Sequence, residues 1–307
     1  MKKKYMVLLY YCYSNINKIK FFRNNHFLYC INNNIKGRII ISKEGINGTI
    51  SGSIFNCKDY IKNLKFYFKS KNIEIKTDYH YKHVFQNLKI KLKLEIVNSW
   101  LDQFNKNKKI APYINVFDFK NIKLNKNIIL LDVRSRYEYN IGKFSDAITL
   151  NINYFREFYK KIKILLPFKN KKIITYCTGG VRCEKAGTFL LENNFNFVYQ
   201  LKGGIIQYGI DTNGKNFKGK CYVFDERLSV NINKKKSFII GKCYLCSFLC
   251  DRIINCANSY CNYHILICKY CSFEMEGACS LKCKIYSKKR IYNRIGFYKK
   301  LINFINI

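Results

Sequence analysis

The distribution of cysteine most constrains what this chain can fold into. Six cysteines are scattered up to Lys242, and nine fall between Cys243 and Cys283. Eight of the nine form short pairs: Cys243-x2-Cys246, Cys256-x4-Cys261, Cys268-x2-Cys271 and Cys279-x3-Cys283. Paired thiolates at these spacings suit tetrahedral zinc. An alternating assignment puts Cys243, Cys246, Cys268 and Cys271 on one ion, and Cys256, Cys261, Cys279 and Cys283 on a second. His264 is available as a replacement ligand, and Cys250 is left over. So small a module lacks the core to fold alone, so bound metal is expected to supply its stability. An iron–sulfur cluster and plain reduced thiols are the alternatives.

The same break in composition divides the chain. A lysine run at Lys234, Lys235 and Lys236 precedes the cysteine-rich end, and a polar run at residues 105–109 marks an earlier boundary. The expected modules are residues 1–97, 110–230 and 240–284, followed by a basic tail at 285–307. The net charge of +37 predicts a polyanionic partner bound with strong salt dependence. Part of that charge reflects an AT-biased composition, since Asn, Ile, Tyr and Phe are abundant beside Lys. With 48% hydrophobic residues and two prolines, the chain is neither disordered nor collagen-like. No apolar run approaches the roughly 20 residues that span a bilayer. Lys2, Lys3 and Lys4 before an apolar stretch mimic a signal peptide, but no small-residue cleavage site follows, and a buried first strand explains the run better. A cytoplasmic location is therefore expected, and fifteen cysteines then argue for metal binding and catalysis, not a disulfide framework.

The first module reads as strand 5–12, helix 16–29, strand 37–42, strand 48–52, helix 56–70, strand 73–77 and a last strand 88–95, with a glycine turn at Glu44–Gly48. The β-α-β-β-α-β order predicts a ferredoxin-like α+β domain. Lys89, Lys91 and Lys93 alternate with apolar residues in the last strand. They form a solvated face or a row that tracks a phosphate backbone. The second module places strands at 127–133, 172–176 and 197–201, with helices near 154–163 and 183–193. That alternation predicts α/β architecture with a parallel sheet.

Between strand 172–176 and the next helix lies Cys177-Thr178-Gly179-Gly180-Val181-Arg182-Cys183. A cysteine there faces backbone N–H groups at a helix N-terminus, which lower a thiol pKa. Arg182 adds positive charge. Cys-x4-Arg is one residue shorter than the loop that holds a tetrahedral phosphate, so sulfur or a small planar group fits better. Cys183 is a candidate resolving thiol.

Asp132-Val133-Arg134, Tyr137-Glu138, Gly142, Phe144 and the Cys177 loop resemble a rhodanese domain, with Lys143 where many such domains carry His. Extended through Cys183-Glu184-Lys185-Ala186 and residues 198–205, and with Gly45-Ile46-Asn47-Gly48 upstream and residues 222–227 downstream, the pattern resembles the rhodanese-containing tRNA uridine hydroxylases. That resemblance implies tRNA as partner, molecular oxygen as cosubstrate, 5-hydroxyuridine as product and Cys177 as the active-site cysteine, with Asp132 and Arg134 supporting it. Thiolate addition at C6 of uridine would make C5 electron-rich, with Arg182 placed to stabilise an oxyanion. No flavin or nicotinamide fingerprint is present. The rival readings are a sulfurtransferase carrying a persulfide on Cys177 and a non-catalytic RNA-binding protein.

Overall fold

The computed structural model describes residues 3–69, 73–101, 109–122, 127–234 and 238–292. The run at 105–109 falls outside these except for Lys109, as do Lys235, Lys236 and the tail beyond Tyr292.

The N-terminal unit runs β1 (Tyr5–Tyr13), α1 (Ile19–Asn32), β2 (Lys36–Ser42), β3 (Gly45–Ser53), α2 (Ile54–Tyr67), β4 (Glu74–His80) and β5 (Leu88–Leu92). Its sheet order is β4-β1-β3-β2-β5, a ferredoxin-like arrangement extended by β5 parallel to β2. Two expectations shift. The hairpin turn is Lys43-Glu44, and Gly48 sits inside β3, where a Cβ would lie 2.5 Å from the Tyr10 hydroxyl. The last strand ends at Leu92.

β1 is apolar throughout because both of its faces are covered. Met6, Leu8, Tyr10 and Cys12 enter the core beneath the helices. Val7, Leu9, Tyr11 and Tyr13 alternate with them on the opposite face. There Tyr11 donates to Glu184 (3.1 Å) and Tyr13 to the Val181 carbonyl (3.3 Å), both on the second unit.

That unit continues with β6 (Tyr113–Ile114), α3 (Val116–Asn121), β7 (Ile128–Asp132), α4 (Arg136–Ile141), β8 (Gly142–Phe144), β9 (Ile148–Thr149), α5 (Ile162–Leu165), β10 (Lys172–Tyr176), α6 (Val181–Glu192), β11 (Phe197–Leu201) and α7 (Gly204–Thr212). The parallel sheet β6-β11-β10-β7-β9 is packed on both faces, which is why its strands read as unbroken β-branched runs. Residues 155–161, expected as α-helix, form 3-10 turns. Phe155 and Phe158 stack there, and their i, i+3 spacing suits the 3-10 repeat as well as the α repeat. The helix expected from residue 183 begins at Val181, so Arg182 and Cys183 lie in its first turn.

β12 (Phe217–Tyr222) and β13 (Ser229–Asn231) lead to a cysteine-rich unit built on β14 (Ile253–Asn255), β15 (His264–Leu266), α8 (Lys269–Glu274) and α9 (Leu281–Lys284). Ile253, Ile254, Ile265 and Leu266 pack with Ile141 and Tyr222 of the preceding unit. No described helix is long and apolar enough to cross a membrane.

Candidate functional site

Cys177 leaves the C-terminal end of β10, the central strand, and is fully buried. The four peptide carbonyls of residues 177–180 all turn away from its sulfur. Ile205 and Ile206, at the start of α7, donate to the Cys177 and Thr178 carbonyls (3.0 and 3.1 Å). Lys76 on β4 donates to the Gly179 carbonyl (2.9 Å), and Cys183 N–H takes the Gly180 carbonyl (2.9 Å). With the carbonyls engaged, the N–H groups curl inward, and Gly180 N–H donates to Cys177 Sγ at 3.1 Å. Gly180 reaches this geometry at φ 99°, and a Cβ on Gly204 would sit 2.5 Å from the Cys177 carbonyl oxygen.

Burial alone would raise the Cys177 thiol. The Cys183 thiol, the Arg182 charge and the N–H groups of Arg182 and Gly180 outweigh it, bringing the pKa down to about 5. Cys183 moves upward, through burial and its neighbour's negative charge. Alkylation of Cys177 by iodoacetamide should therefore hold steady above about pH 6 and slow roughly ten-fold per unit at lower pH, as the thiolate gains its proton. A stopped-flow profile centred near the ordinary thiol range, about 8.5, would contradict this.

Glu138, fully buried, anchors Arg182. Arg182 donates to Glu138 from both terminal nitrogens (2.6 and 2.8 Å), and its Nη2 also reaches the Thr178 hydroxyl (3.2 Å). Its charge thus acts on Cys177 while most of its donor edge is engaged. The role of Glu138 was missed, although Ser135-x-x-Glu138 is a legible capping box at the start of α4. Burial would raise the Glu138 carboxyl, but Arg182 beside it holds it below the usual range. Glu138→Gln leaves a buried guanidinium without its counter-charge. We expect a loss of about 3–5 kcal/mol in chemical denaturation. Asp132 and Arg134 form a second fully buried pair (2.6 Å), and Arg134 donates to the Gly142 carbonyl (2.7 Å), tying β7 to the α4–β8 junction.

A cavity of ≈370 Å³ opens on this loop, within the range of small-molecule sites. Cys177, Gly179, Val181 and Arg182 form its floor, and the outer face of the N-terminal sheet, through Leu9, Tyr11, Arg38, Ile40, Asn47 and Thr49, forms its roof. Tyr137, Tyr154 and Phe224 supply aromatic walls. Lys89 pairs with Arg38 and Lys91 with Ile40 across β5 and β2. Lys89, Lys91 and Lys93 are exposed, so they extend the basic sheet face outward from the cavity. The two units are locked together at this seam by Lys185, which pairs with Glu44 (3.0 Å) and Glu95 (2.6 Å).

In the C-terminal unit the sulfurs of Cys243, Cys246, Cys268 and Cys271 lie within 4.8 Å of one another, and so do those of Cys256, Cys261, Cys279 and Cys283. Each group can hold a metal ion, in the alternating assignment expected. His264 does not join either. It stacks on Tyr137 at 4.5 Å and 16° between ring planes. Cys250 is buried outside both groups.

A parallel sheet whose central strand ends in a cysteine, a glycine loop and a helix defines a rhodanese-type protein, here roofed by a ferredoxin-like sheet. Residues 117–210 match the rhodanese-like domain, residues 5–96 the UPF0176 acylphosphatase like domain and residues 218–284 the rhodanase C-terminal family. The chain is 44% identical to the tRNA uridine(34) hydroxylase of Cytophaga hutchinsonii, over 98% of this chain and 96% of that one. It is 42% identical to that of Aster yellows witches'-broom phytoplasma, over 93% and 94%. A solved rhodanese-related protein from Thermoplasma volcanium is 29% identical, covering 33% of this chain and 94% of its own, with a TM-score of 0.29. The chain belongs to the tRNA uridine(34) hydroxylase family.

Proposed function

We propose that this protein hydroxylates C5 of the wobble uridine of tRNA, with molecular oxygen as cosubstrate and the Cys177 thiolate as the reacting group. The observation that carries the reading is the cavity, in which a depressed-pKa cysteine lies under a basic, aromatic-walled roof large enough for a pyrimidine nucleoside. Addition of Sγ to C6 forms the S–C6 bond and moves the C5=C6 electron pair into an enolate at C4. The enolate carbon then attacks oxygen at C5. An external two-electron donor with two protons, net, cleaves the O–O bond and releases water. Loss of the C5 proton and expulsion of the thiolate restore the ring and give 5-hydroxyuridine. Arg182 and the loop N–H groups hold Cys177 ionised before attack and after expulsion. Asp132, Arg134, Thr178 and Glu138 position the loop.

The exposed lysines at 89, 91 and 93 supply phosphate neutralisation without a base code. The two thiolate sets suit zinc. A tetrahedral ion with bonds of about 2.3 Å places its sulfurs about 3.8 Å apart, and the pairs Cys246–Cys268, Cys261–Cys279 and Cys279–Cys283 are each at 3.7 Å. The zinc is structural in this reading and takes no part in the oxygen chemistry.

The test is nucleoside mass spectrometry of tRNA from cells lacking wobble-uridine modification, with and without this gene. Appearance of 5-hydroxyuridine supports the reading. A thiolated nucleoside or a protein persulfide without 5-hydroxyuridine would make the protein a sulfurtransferase, and tRNA binding with neither would make it a non-catalytic binder.

A further inference from the structure

Trp100 is the chain's single tryptophan, and it is 61% exposed. Its backbone is held in an unusual conformation. The residue sits in the left-handed region at φ 54°, a costly conformation for a bulky side chain. Glu95 holds it there, accepting the backbone N–H groups of Ser99 and Trp100 (3.1 Å each) and the Ser99 hydroxyl. Glu95 is in turn paired with Lys185, on the helix that begins at the Cys177 loop. The backbone of Trp100 is therefore tied, through Glu95 and Lys185, to the helix that begins at the Cys177 loop.

Beside the indole lies Arg156. Its guanidinium is 5.1 Å from the Trp100 ring centroid and 4.4 Å from that of Tyr154. Among the described residues no carboxylate pairs with it. Tyr154 and Arg156 also line the Cys177 cavity, so this stack stands at its rim. An exposed aromatic face beside an unneutralised guanidinium is the combination that binds single-stranded nucleic acid, with the base on the ring and the phosphate on the cation.

We propose that Trp100 is the stacking platform for a nucleobase flanking the target uridine, and that Arg156 contacts the phosphate between the two. The inference rests on the tRNA reading above. It makes recognition depend on an unpaired, splayed loop rather than on base identity at the flanking position, because every base has a face to stack.

The single tryptophan is its own reporter. Titration of the full-length protein with an anticodon stem-loop RNA should quench Trp100 fluorescence, and a fully paired duplex should not, although both bind through charge. Trp100→Ala should raise the KM for tRNA by about ten-fold or more with kcat little changed, and Trp100→Phe should recover most of the loss. Stem-loop binding, seen by anisotropy of labelled RNA, without quenching would overturn the platform and leave the hydroxylase reading intact. So would an unchanged KM for the alanine variant. An active wild-type protein is the control for that reading. If it forms no 5-hydroxyuridine yet the stem-loop still quenches Trp100, the hydroxylase reading fails and the platform stands. Absence of any RNA binding sinks both.

Discussion

Cys177→Ala abolishes 5-hydroxyuridine formation, with a loss of at least three orders of magnitude expected, while tRNA binding stays within about two-fold of wild type. The separation follows from geometry. Cys177 is fully buried on the cavity floor, whereas Arg38, Lys89, Lys91 and Lys93 lie on the sheet face above. Removing one sulfur from the floor takes away the proposed nucleophile and little of the proposed phosphate-binding surface. The loop itself should survive, since its carbonyls are held by α7, Lys76 and Cys183 and not by Cys177 Sγ. Mass spectrometry of reconstituted tRNA and filter binding at fixed salt measure the two quantities. Retained product would remove Cys177 from the reaction. Lost binding together with lost product would mean that the substitution collapses the site.

Removing metal from the C-terminal unit has the second large effect. A zinc ion held by each group of four thiolates, as proposed, would contribute on the order of 10 kcal/mol of binding free energy that is also folding free energy. Cys246→Ser is the cleanest probe because Cys246 is exposed, so the change deletes a ligand without opening a core cavity. We expect metal content to fall by one ion per chain and the region from Cys243 to Cys283 to become sensitive to limited proteolysis. Cys250→Ala is the matched control. That cysteine is buried but lies outside both sulfur groups, so metal content should hold. Equal metal loss in both variants, or none in either, would refute the ligand assignment.

The four short cysteine pairs were legible from their spacing, but which pairs share a site was not: four pairs can be combined two and two in three ways, and only the fold brings the first beside the third and the second beside the fourth. The parallel sheet was legible because strands buried on both faces carry unbroken apolar runs. The same property hid what covers them. β1 reads as buried, but nothing local says that Leu9, Tyr11 and Tyr13 meet the Cys177 loop. His264 misled because histidine near paired cysteines has the chemistry of a ligand, and only the fold shows its ring on Tyr137. Arg182 was visible as a charge. Its engagement by Glu138, 44 residues earlier, was not, since a salt bridge over that separation leaves no period in the chain. Gly48 suggested a turn because glycine usually does, whereas here it makes room for Tyr10 inside a strand.

The doubly covered first strand also sets a schedule for biosynthesis. Tyr13 bonds to Val181, 168 residues later. At typical rates of about 5–20 residues per second, the ribosome needs roughly ten to thirty seconds to deliver the partner surface. Val7 is covered once Val84 and Phe85 emerge, but throughout that interval Leu9 and Tyr11 stay open to solvent while the nascent N-terminal sheet completes its own helical layer. The face that later roofs the reactive cysteine is thus, for most of translation, the sticky side of a half-made protein and a natural client for chaperones.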